Sequence, residues 1–574
     1  MTRNHTTTDP DAQVTTDDAD RAATDESRTD PGGGRVDRRD YLRLIGGVGM
    51  AGAAGSIAGQ ATAQSDDWEA AADERIREHR QGLLTVAVVD ENGQPVPDAT
   101  VEVAMQSHDY WFGYAMSADL LDQTDPGHPY REALKEDFNV VWFGNNHKWR
   151  FFEENQERAD RATAWAKDNG LDIRGHVCLW ANVNAWPIPG DVVDAMGLDH
   201  QSGESGPDFD AQHVEDRSFE HVQTIIDHYA DFEYDGTSYG SVIDEWEVMN
   251  EVVHEPGFIK AVNGVPAPDD APDIDPVTDP VLADYYQHAR DVAPDDVGLA
   301  VNDYNTMEGS YEYARSDYER QIEFLAANGH LDYVGIQSHF TEQSTTVSPQ
   351  EALEVLDRYA QHGVRLRVTE YDATGDDWSD DEKADFFGDY LKAVFSHEAT
   401  DAFLTAGGSD EHHWRDDGPF FYAGWDPKPA YEVYQNLVFD EWWTDTAETT
   451  GEDGTATVDA FLGTHEVRVE TTDGTTVTET VSITDSDAGR QITVTVDGST
   501  ADGPNWVSEP APTDPDGDGL YEDVSGDGDL NFPDVNRLFQ TTESTEVQDN
   551  AEYLDFDGDG DADLQDVLAL FEMV

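Results

Sequence analysis

Apolar and polar positions along this chain follow two rhythms. Between residues 110 and 443, short apolar runs recur with longer stretches of helical spacing between them. Eight runs read as strands: WFGYAM (Trp111–Met116), FNVVWF (Phe138–Phe143), IRGHVCLW (Ile173–Trp180), EWEVMNE (Glu245–Glu251), VGLAVNDYN (Val297–Asn305), YVGIQSHF (Tyr333–Phe340), VRLRVTEYD (Val364–Asp372) and DAFLTAGG (Asp401–Gly408). Several segments between them are amphipathic helices, as in PQEALEVLDRYAQHG, which puts Ala352, Leu353, Leu356, Tyr359 and Ala360 on one face. Gly170, Gly329 and Gly363 stand just before strands, where helices end. Eight strand-then-helix units predict an α/β fold, a (β/α)8 TIM barrel of roughly 330 residues. A doubly wound open sheet is the competing arrangement, and no Gly-rich phosphate turn supports it.

The second rhythm is strict alternation, and it flanks the barrel. LLTVAVVDENGQPVPDATVEVAMQ (Leu83–Gln106) alternates around an Asn-Gly turn, and GTATVDAFLGTHEVRVETTDGTTVTETVSI (Gly454–Ile483) supplies further strands. The first segment is too short to close a core alone. Joined end to end, the two resemble one transthyretin-like or carboxypeptidase-regulatory-like sandwich, which predicts a split β-sandwich interrupted by the barrel. Two unrelated β-segments packed on the barrel are the alternative.

Toward the C-terminus the chain repeats itself: DVSGDGDLNFPDVNRLF begins at Asp523 and DFDGDGDADLQDVLALF at Asp555. Each copy gives oxygens at positions 1, 3 and 5, Gly at 6 and Asp at 12, then an apolar helix. That is calcium-loop spacing, in which a hard cation draws the oxygens together and the Gly allows the turn. Asp523, Ser525, Asp527, Asp529 and Asp534 are the candidate ligands of the first loop. Asp555, Asp557, Asp559, Asp561 and Asp566 are those of the second. DPDGDG at Asp514 adds a partial third copy. Asp at position 12 resembles dockerin repeats, which implies a small α-helical module with structural Ca2+ and makes a cohesin-like protein a candidate partner. A plain acidic tail is the alternative. The domains are thus 1–64 lead and signal, 65–109 linker helix and first β-segment, 110–443 barrel, 444–500 second β-segment, 501–513 linker, and 514–574 calcium repeats.

Composition narrows the setting. Of 574 residues 123 are acidic and 33 basic, a formal charge of −90 that excludes nucleic acid and anionic membranes as partners. Molar salt shortens the Debye length to about 3 Å and screens such self-repulsion, so the balance points to a hypersaline medium. With 14 Trp, 22 Tyr and 23 Phe the chain has too many aromatics for an acidic disordered protein. RRDYLRLIGGVGMAGAAGSIAGQATAQS sets Arg38 and Arg39 ahead of a Gly/Ala-rich apolar stretch closing on Ala61-Thr62-Ala63. This resembles a twin-arginine secretion signal; a membrane tether is the alternative, with no Cys near the cleavage site to take a lipid. The sole Cys, Cys178, excludes an intramolecular disulfide.

In a barrel, chemistry gathers at the C-terminal ends of the strands, and polar residues gather there in this sequence. Strand two is followed by Asn145 and Lys148. Strand three carries His176 and Trp180, and strand four ends on Asn250-Glu251. Asn302, Asp303, Tyr304 and Asn305 end strand five, Gln337 and His339 strand six, and Glu370 and Asp372 strand seven; Trp414 follows strand eight. Two carboxylates across the mouth, among aromatic, amide and imidazole groups, suit glycosidic cleavage. No Ser or Cys nucleophile motif and no HExxH metal set appears, and His412-His413 are weak candidate metal ligands.

WEVMNE, NDYN, GIQSH and VTEYD, in this order and spacing, resemble family 10 of the glycoside hydrolases, the endo-β-1,4-xylanases, from about Tyr110 to Phe439. The resemblance implies Glu251 as acid/base, Glu370 as nucleophile, retention at the anomeric carbon and no cofactor for catalysis. It implies that Asn250 bonds the substrate 2-hydroxyl, that His339 contacts Glu370 and is oriented by Asp372, and that Asn145, Lys148, His176, Trp180 and Gln337 line the glycone side. Glu251 is expected to stay protonated through repulsion by an ionised Glu370. The chain departs from the family pattern at Gly144-Asn145, Trp180-Ala181 and Gly407. The expected function is a secreted retaining xylanase acting on xylan. A β-1,4-glucanase on the same barrel and a non-catalytic extracellular carbohydrate-binding protein are the alternatives.

Overall fold

The structure is a computed structural model that describes residues 62–574, apart from 184–186, 203, 485, 487–488, 497–509, 516–519, 527, 529, 543, 545–546, 549, 557–561 and 574. The twin arginines and the calcium-loop candidates Asp527, Asp529, Asp557, Asp559 and Asp561 therefore lie outside the described residues.

Eight strands pair in parallel: Trp111–Met116, Val140–Phe143, Asp172–Gly175, Glu245–Asn250, Gly298–Asp303, Tyr333–Ile336, Arg365–Ala373 and Thr400–Thr405. The fourth pairs with the fifth (Glu245 opposite Gly298) and the eighth with the first (Ala402 opposite Trp111), which closes the ring and leaves no edge. These are the eight strands read from the sequence, with two differences. The runs beginning at Ile173 and Tyr333 each break in two, leaving Leu179–Trp180 and His339–Phe340 as separate short pairings on strands four and seven. Each break lies where the chain turns polar residues toward the mouth.

Local chemistry explains the helices between them. Ser348 opens the helix Pro349–Ala360 with a capping box: its hydroxyl accepts from the Glu351 amide, and the Glu351 carboxylate accepts from the Ser348 amide. This helix buries Ala352, Val355, Leu356 and Tyr359, with Val355 rather than Leu353 on the inner face. At its far end Gly363 takes φ +75°, a left-handed turn that a side chain would resist.

Alternation along strand four divides two environments. Trp246 packs outward against Tyr229 and His147, whereas Glu245 and Glu247 point into the ring and meet Arg174.

The flanking segments pair across more than 340 residues of sequence. Gln81–Asp90 runs antiparallel to Thr455–Phe461 and parallel to Arg490–Val496. Thr100–His108 runs antiparallel to Asp445–Thr449 and to Gly463–Glu470, which pairs in turn with Thr476–Ile483. The two sheets share an aliphatic core that includes Leu84, Val86, Val103, Val458, Val467 and Val494. Toward the C-terminus the helices Phe532–Thr541 and Leu564–Met573 share a smaller core of Val524, Val535, Leu538, Leu554 and Leu570. Among the described residues, no helix is long and apolar enough to cross a membrane.

Candidate active site

The opening of the barrel is built from strand ends whose apolar runs stop on polar residues. Glu251 follows strand four directly, with φ +59°, and its amide donates to the Asn302 carbonyl at 2.8 Å. Its carboxyl is buried and holds two donors: Trp180 Nε1 to Oε2 at 2.7 Å and Gln337 Nε2 to Oε1 at 2.9 Å. Burial first, and the nearby Asp303 carboxylate second, push Glu251 up to about 8 against the pull of the Gln337 bond, with Glu370 adding a further push. Like-charge repulsion by Glu370 therefore ranks behind burial and Asp303 in keeping the proton on Glu251.

Glu370, near the end of strand seven, is buried as well but surrounded by positive and donor groups. Asn302 Nδ2 donates to its Oε1 at 2.7 Å, and His339 Nε2 lies 3.6 Å from Oε2. Burial works to raise its pKa, but His339, His176 and Arg174 outweigh that and bring it down to about 2. His339 donates through Nδ1 to Asp372 Oδ2 at 2.9 Å, and Asp372 holds the His339 pKa well above the usual imidazole range against the opposing effect of burial. Asp372 Oδ2 also accepts from Trp414 Nε1 at 2.7 Å. At neutral pH the site thus holds one protonated and one ionised carboxyl.

The other candidates fall around this pair. Gln337 Nε2 also donates to Asn250 Oδ1 at 3.3 Å. Lys148 Nζ sits 4.7 Å from the centre of the Trp180 ring and 3.4 Å from Asn145 Oδ1, and burial lowers its pKa against the pull of Glu370 and Glu251. Tyr304 stacks on His254 at 3.8 Å. His176 is buried, with Nδ1 at 2.9 Å from Glu247 Oε2. His413 points to Asp372 at 3.4 Å while His412 stacks on Trp425, so the two adjacent histidines do not converge on one point. Facing ligand atoms of His176, Glu247 and Glu370 do lie within 4.8 Å of one another. Asn302 Nδ2 donates to both carboxylates, however, at 3.2 and 2.7 Å, and Arg174 donates to Glu247 at 2.6 Å. Those N–H groups stand where a cation would have to.

The family model for glycosyl hydrolase family 10 matches residues 101–437, more than half of the chain. The chain belongs to this family. It is 29% identical over 272 residues to endo-1,4-beta-xylanase C of Paenibacillus barcinonensis, covering 45% of this chain and 22% of that protein. Over 410 residues it is 23% identical to the anti-sigma-I factor RsgI6 of Acetivibrio thermocellus, covering 70% of this chain and 46% of that protein. The chain spans less than half the length of both. Among solved structures it resembles xylanase 10B from Thermotoga maritima, at 18% identity and TM-score 0.47, over 58% of this chain and 96% of that one.

Several residues of this family 10 site had no role assigned from the sequence: Asn302 and Asp303 were named only as polar residues ending strand five, and Glu247, Arg174 and Glu308 were not singled out. Asn302 bridges Glu247 and Glu370; its place in NDYN beside Tyr304 was the available signal. Asp303 accepts from the Val253 amide at 2.9 Å and from His254 Nδ1 at 2.6 Å, and so fixes the turn that follows Glu251. Glu308, from the loop after strand five, accepts the His339 amide at 2.6 Å; its sequence surroundings carry no mark of this. Glu247 and Arg174 could have been found as charges at inward positions of otherwise apolar strands. Of the calcium-loop candidates, Asp523, Asp534 and Asp566 are buried. Asp534 accepts from the Ser525 and Asn531 amides at 2.7 and 2.6 Å.

Proposed function

We propose that the chain is a secreted, retaining endo-β-1,4-xylanase that cuts the xylan backbone by double displacement. The observation that carries this reading is a pair of buried carboxyls at the barrel mouth with different partners, Glu251 held by Trp180 and Gln337 and Glu370 by Asn302 and His339, surroundings that favour a protonated Glu251 and an ionised Glu370. Ionised Glu370 attacks the anomeric carbon as the glycosidic bond breaks, and Glu251 gives its proton to the departing oxygen. Glu251, now a carboxylate, then takes a proton from water, which attacks the same carbon and frees Glu370. Asn302 and the imidazolium of His339 orient the nucleophile, and Trp180 and Gln337 fix the acid. Xylan rather than β-1,4-glucan is supported by family membership and by the name of the Paenibacillus relative.

The remaining parts of the proposal rest on other observations. Strand pairing between 81–90 and 455–461, with one shared aliphatic core, supports a single β-sandwich interrupted by the barrel. Buried Asp523, Asp534 and Asp566, an all-oxygen donor set, support dockerin-like loops that hold structural Ca2+, with a cohesin-like protein as partner. The twin arginines and the charge of −90 support export into a salty medium.

Reducing-sugar release from xylan, cellulose and arabinoxylan, compared side by side in high salt, tests the reading. Release from xylan above cellulose is expected. Cellulose cleavage alone would favour the glucanase, and binding without cleavage the non-catalytic protein.

A further inference from the structure

Behind the nucleophile stands a second imidazole that the double displacement above does not use. Three ring nitrogens face Oδ2 of the buried Asp372: His339 Nδ1 at 2.9 Å, Trp414 Nε1 at 2.7 Å and His413 Nε2 at 3.4 Å. The last two come from the loop after strand eight. The side chains of His413 and Asp372 are both fully buried. Apart from Asp372, His413 Nε2 meets no hydrogen-bonding group among the described residues.

The far side of the His413 ring fixes where its proton sits. Nδ1 accepts from the Arg415 amide at 3.3 Å. The proton of the neutral ring therefore stands on Nε2, the nitrogen that faces Asp372. His413 is aimed as a donor. The loop that carries it is tied down by Lys428, whose Nζ donates to Asp410 Oδ1 at 2.6 Å, Asp417 Oδ1 at 3.2 Å and the Gly418 carbonyl at 2.8 Å. A donor held on a braced loop needs no reorganisation when charge shifts nearby.

Asp372 needs such donors. A carboxylate taken out of water keeps its charge only where N–H groups replace the lost hydration. Burial works to raise its pKa, but His339, and after it His413, outweigh that and hold it well below the usual carboxylate range. Among the described residues Asp372 Oδ1 has no hydrogen-bond partner, so the protein's support reaches the carboxylate through Oδ2. At 3.4 Å the His413 contact is looser than the other two, and its share is the smallest. Asp372 in turn orients His339, whose Nε2 lies 3.6 Å from Glu370 Oε2.

We propose that His413 is a positioning residue for the nucleophile: its Nε2–H steadies the Asp372 carboxylate and, through it, the way His339 faces Glu370. This rests on the catalytic reading above.

The test compares wild type with His413→Gln, His413→Asn and His413→Phe. A Gln side chain can set an N–H where Nε2 stands, Asn only where Nδ1 stands, and Phe neither. Two readouts are taken, each scaled to the folded fraction from circular dichroism. One is kcat and KM on xylan. The other is the rate at which a 2-deoxy-2-fluoro-β-xylobioside with an activated leaving group labels Glu370. Labelling needs little proton donation from Glu251, so its rate reads the nucleophile. His413→Asn and His413→Phe should label roughly tenfold more slowly, the low end for a hydrogen bond to a charged group. Both should lose kcat on xylan with KM little changed, and His413→Gln should stay close to wild type. Equal labelling by the Gln and Asn variants, losses confined to KM, or Phe as the mildest change, as for a ring that only fills space, would overturn the role of His413 alone. A wild type that neither cuts xylan nor takes the label would overturn the catalytic reading and this role with it.

Discussion

The two large cores of this protein are made of different material. Between the flanking sheets the buried apolar cluster is wholly aliphatic, from Leu84 and Val86 to Val494, with the buried His465 beside it. Inside the barrel ring Arg174 lies between Glu245 and Glu247 at 2.9 and 2.6 Å, Arg367 joins Glu245 to Asp401, and Asn302 ties Glu247 to Glu370. An aliphatic core gains from burial in proportion to area and tolerates hydrophobic swaps that conserve volume. A charged core is favourable only while each group keeps its partner. What the barrel gains for that constraint is aim: the same chain of contacts that satisfies Arg174 and Glu247 ends on Glu370, the proposed nucleophile.

Removing Glu251, the proposed acid that faces the end of that chain, should have the largest effect. Glu251→Ala should cut kcat on xylan by roughly 10²–10⁴-fold, the usual contribution of a positioned general acid. Aryl glycosides with good leaving groups should lose far less, and added azide should restore turnover with a β-glycosyl azide as product. An equal loss on both substrates would mean that Glu251 acts on binding rather than on proton transfer.

One level down, Arg174→Met leaves Glu245 and Glu247 buried without their shared cation and should cost ~3–5 kcal/mol in urea unfolding. Val103→Ala in the flanking core removes two methyl groups' worth of burial and should cost only ~1–2 kcal/mol. Similar costs at the two positions would erase the distinction between the cores.

The same contrast decided what the sequence disclosed. Strands of the barrel were visible because Val, Ile, Leu and aromatic residues dominate the runs, and the strand ends were visible because Asn250, Glu251, Gln337 and Glu370 interrupt those runs abruptly. Charges within the runs were another matter. Glu245 and Glu247 stand out in EWEVMNE as charges in a strand, but only the three-dimensional ring brings Arg174 and Arg367 to them. The breaks after Gly175 and Ile336 were also hidden, since an apolar stretch that bends reads like one that does not. Pairing of Gln81–Asp90 with Thr455–Phe461 was legible as two half-sheets, because neither segment can bury its alternating face alone.

A finer adjustment concerns pH. Glu251 must carry its proton to act as acid, and with its pKa at about 8 activity should fall as pH rises through that value. Glu370 must be ionised, and with its pKa brought down to about 2 it stays so well below neutral pH. Asp303→Asn removes the negative charge that ranks second in raising Glu251, so the alkaline limb of kcat/KM should move to lower pH. Movement to higher pH, or none, would remove Asp303 from that role.

The smallest effect on turnover is expected from chelation. EDTA should expose the chain after about Thr513 to limited proteolysis while xylan cleavage by the barrel persists. An identical cleavage pattern with and without chelator would count against the calcium loops.

The most direct measurement is to trap the covalent intermediate. A 2-deoxy-2-fluoro-β-xylobioside with an activated leaving group should transfer its sugar to the enzyme faster than water removes it, and peptide mapping by mass spectrometry should locate the sugar. One sugar ester is expected, on Glu370, with Glu251 unlabelled and no label in Glu370→Ala. A label on Glu251, or turnover of the activated sugar by Glu370→Ala at the wild-type rate, would contradict that assignment.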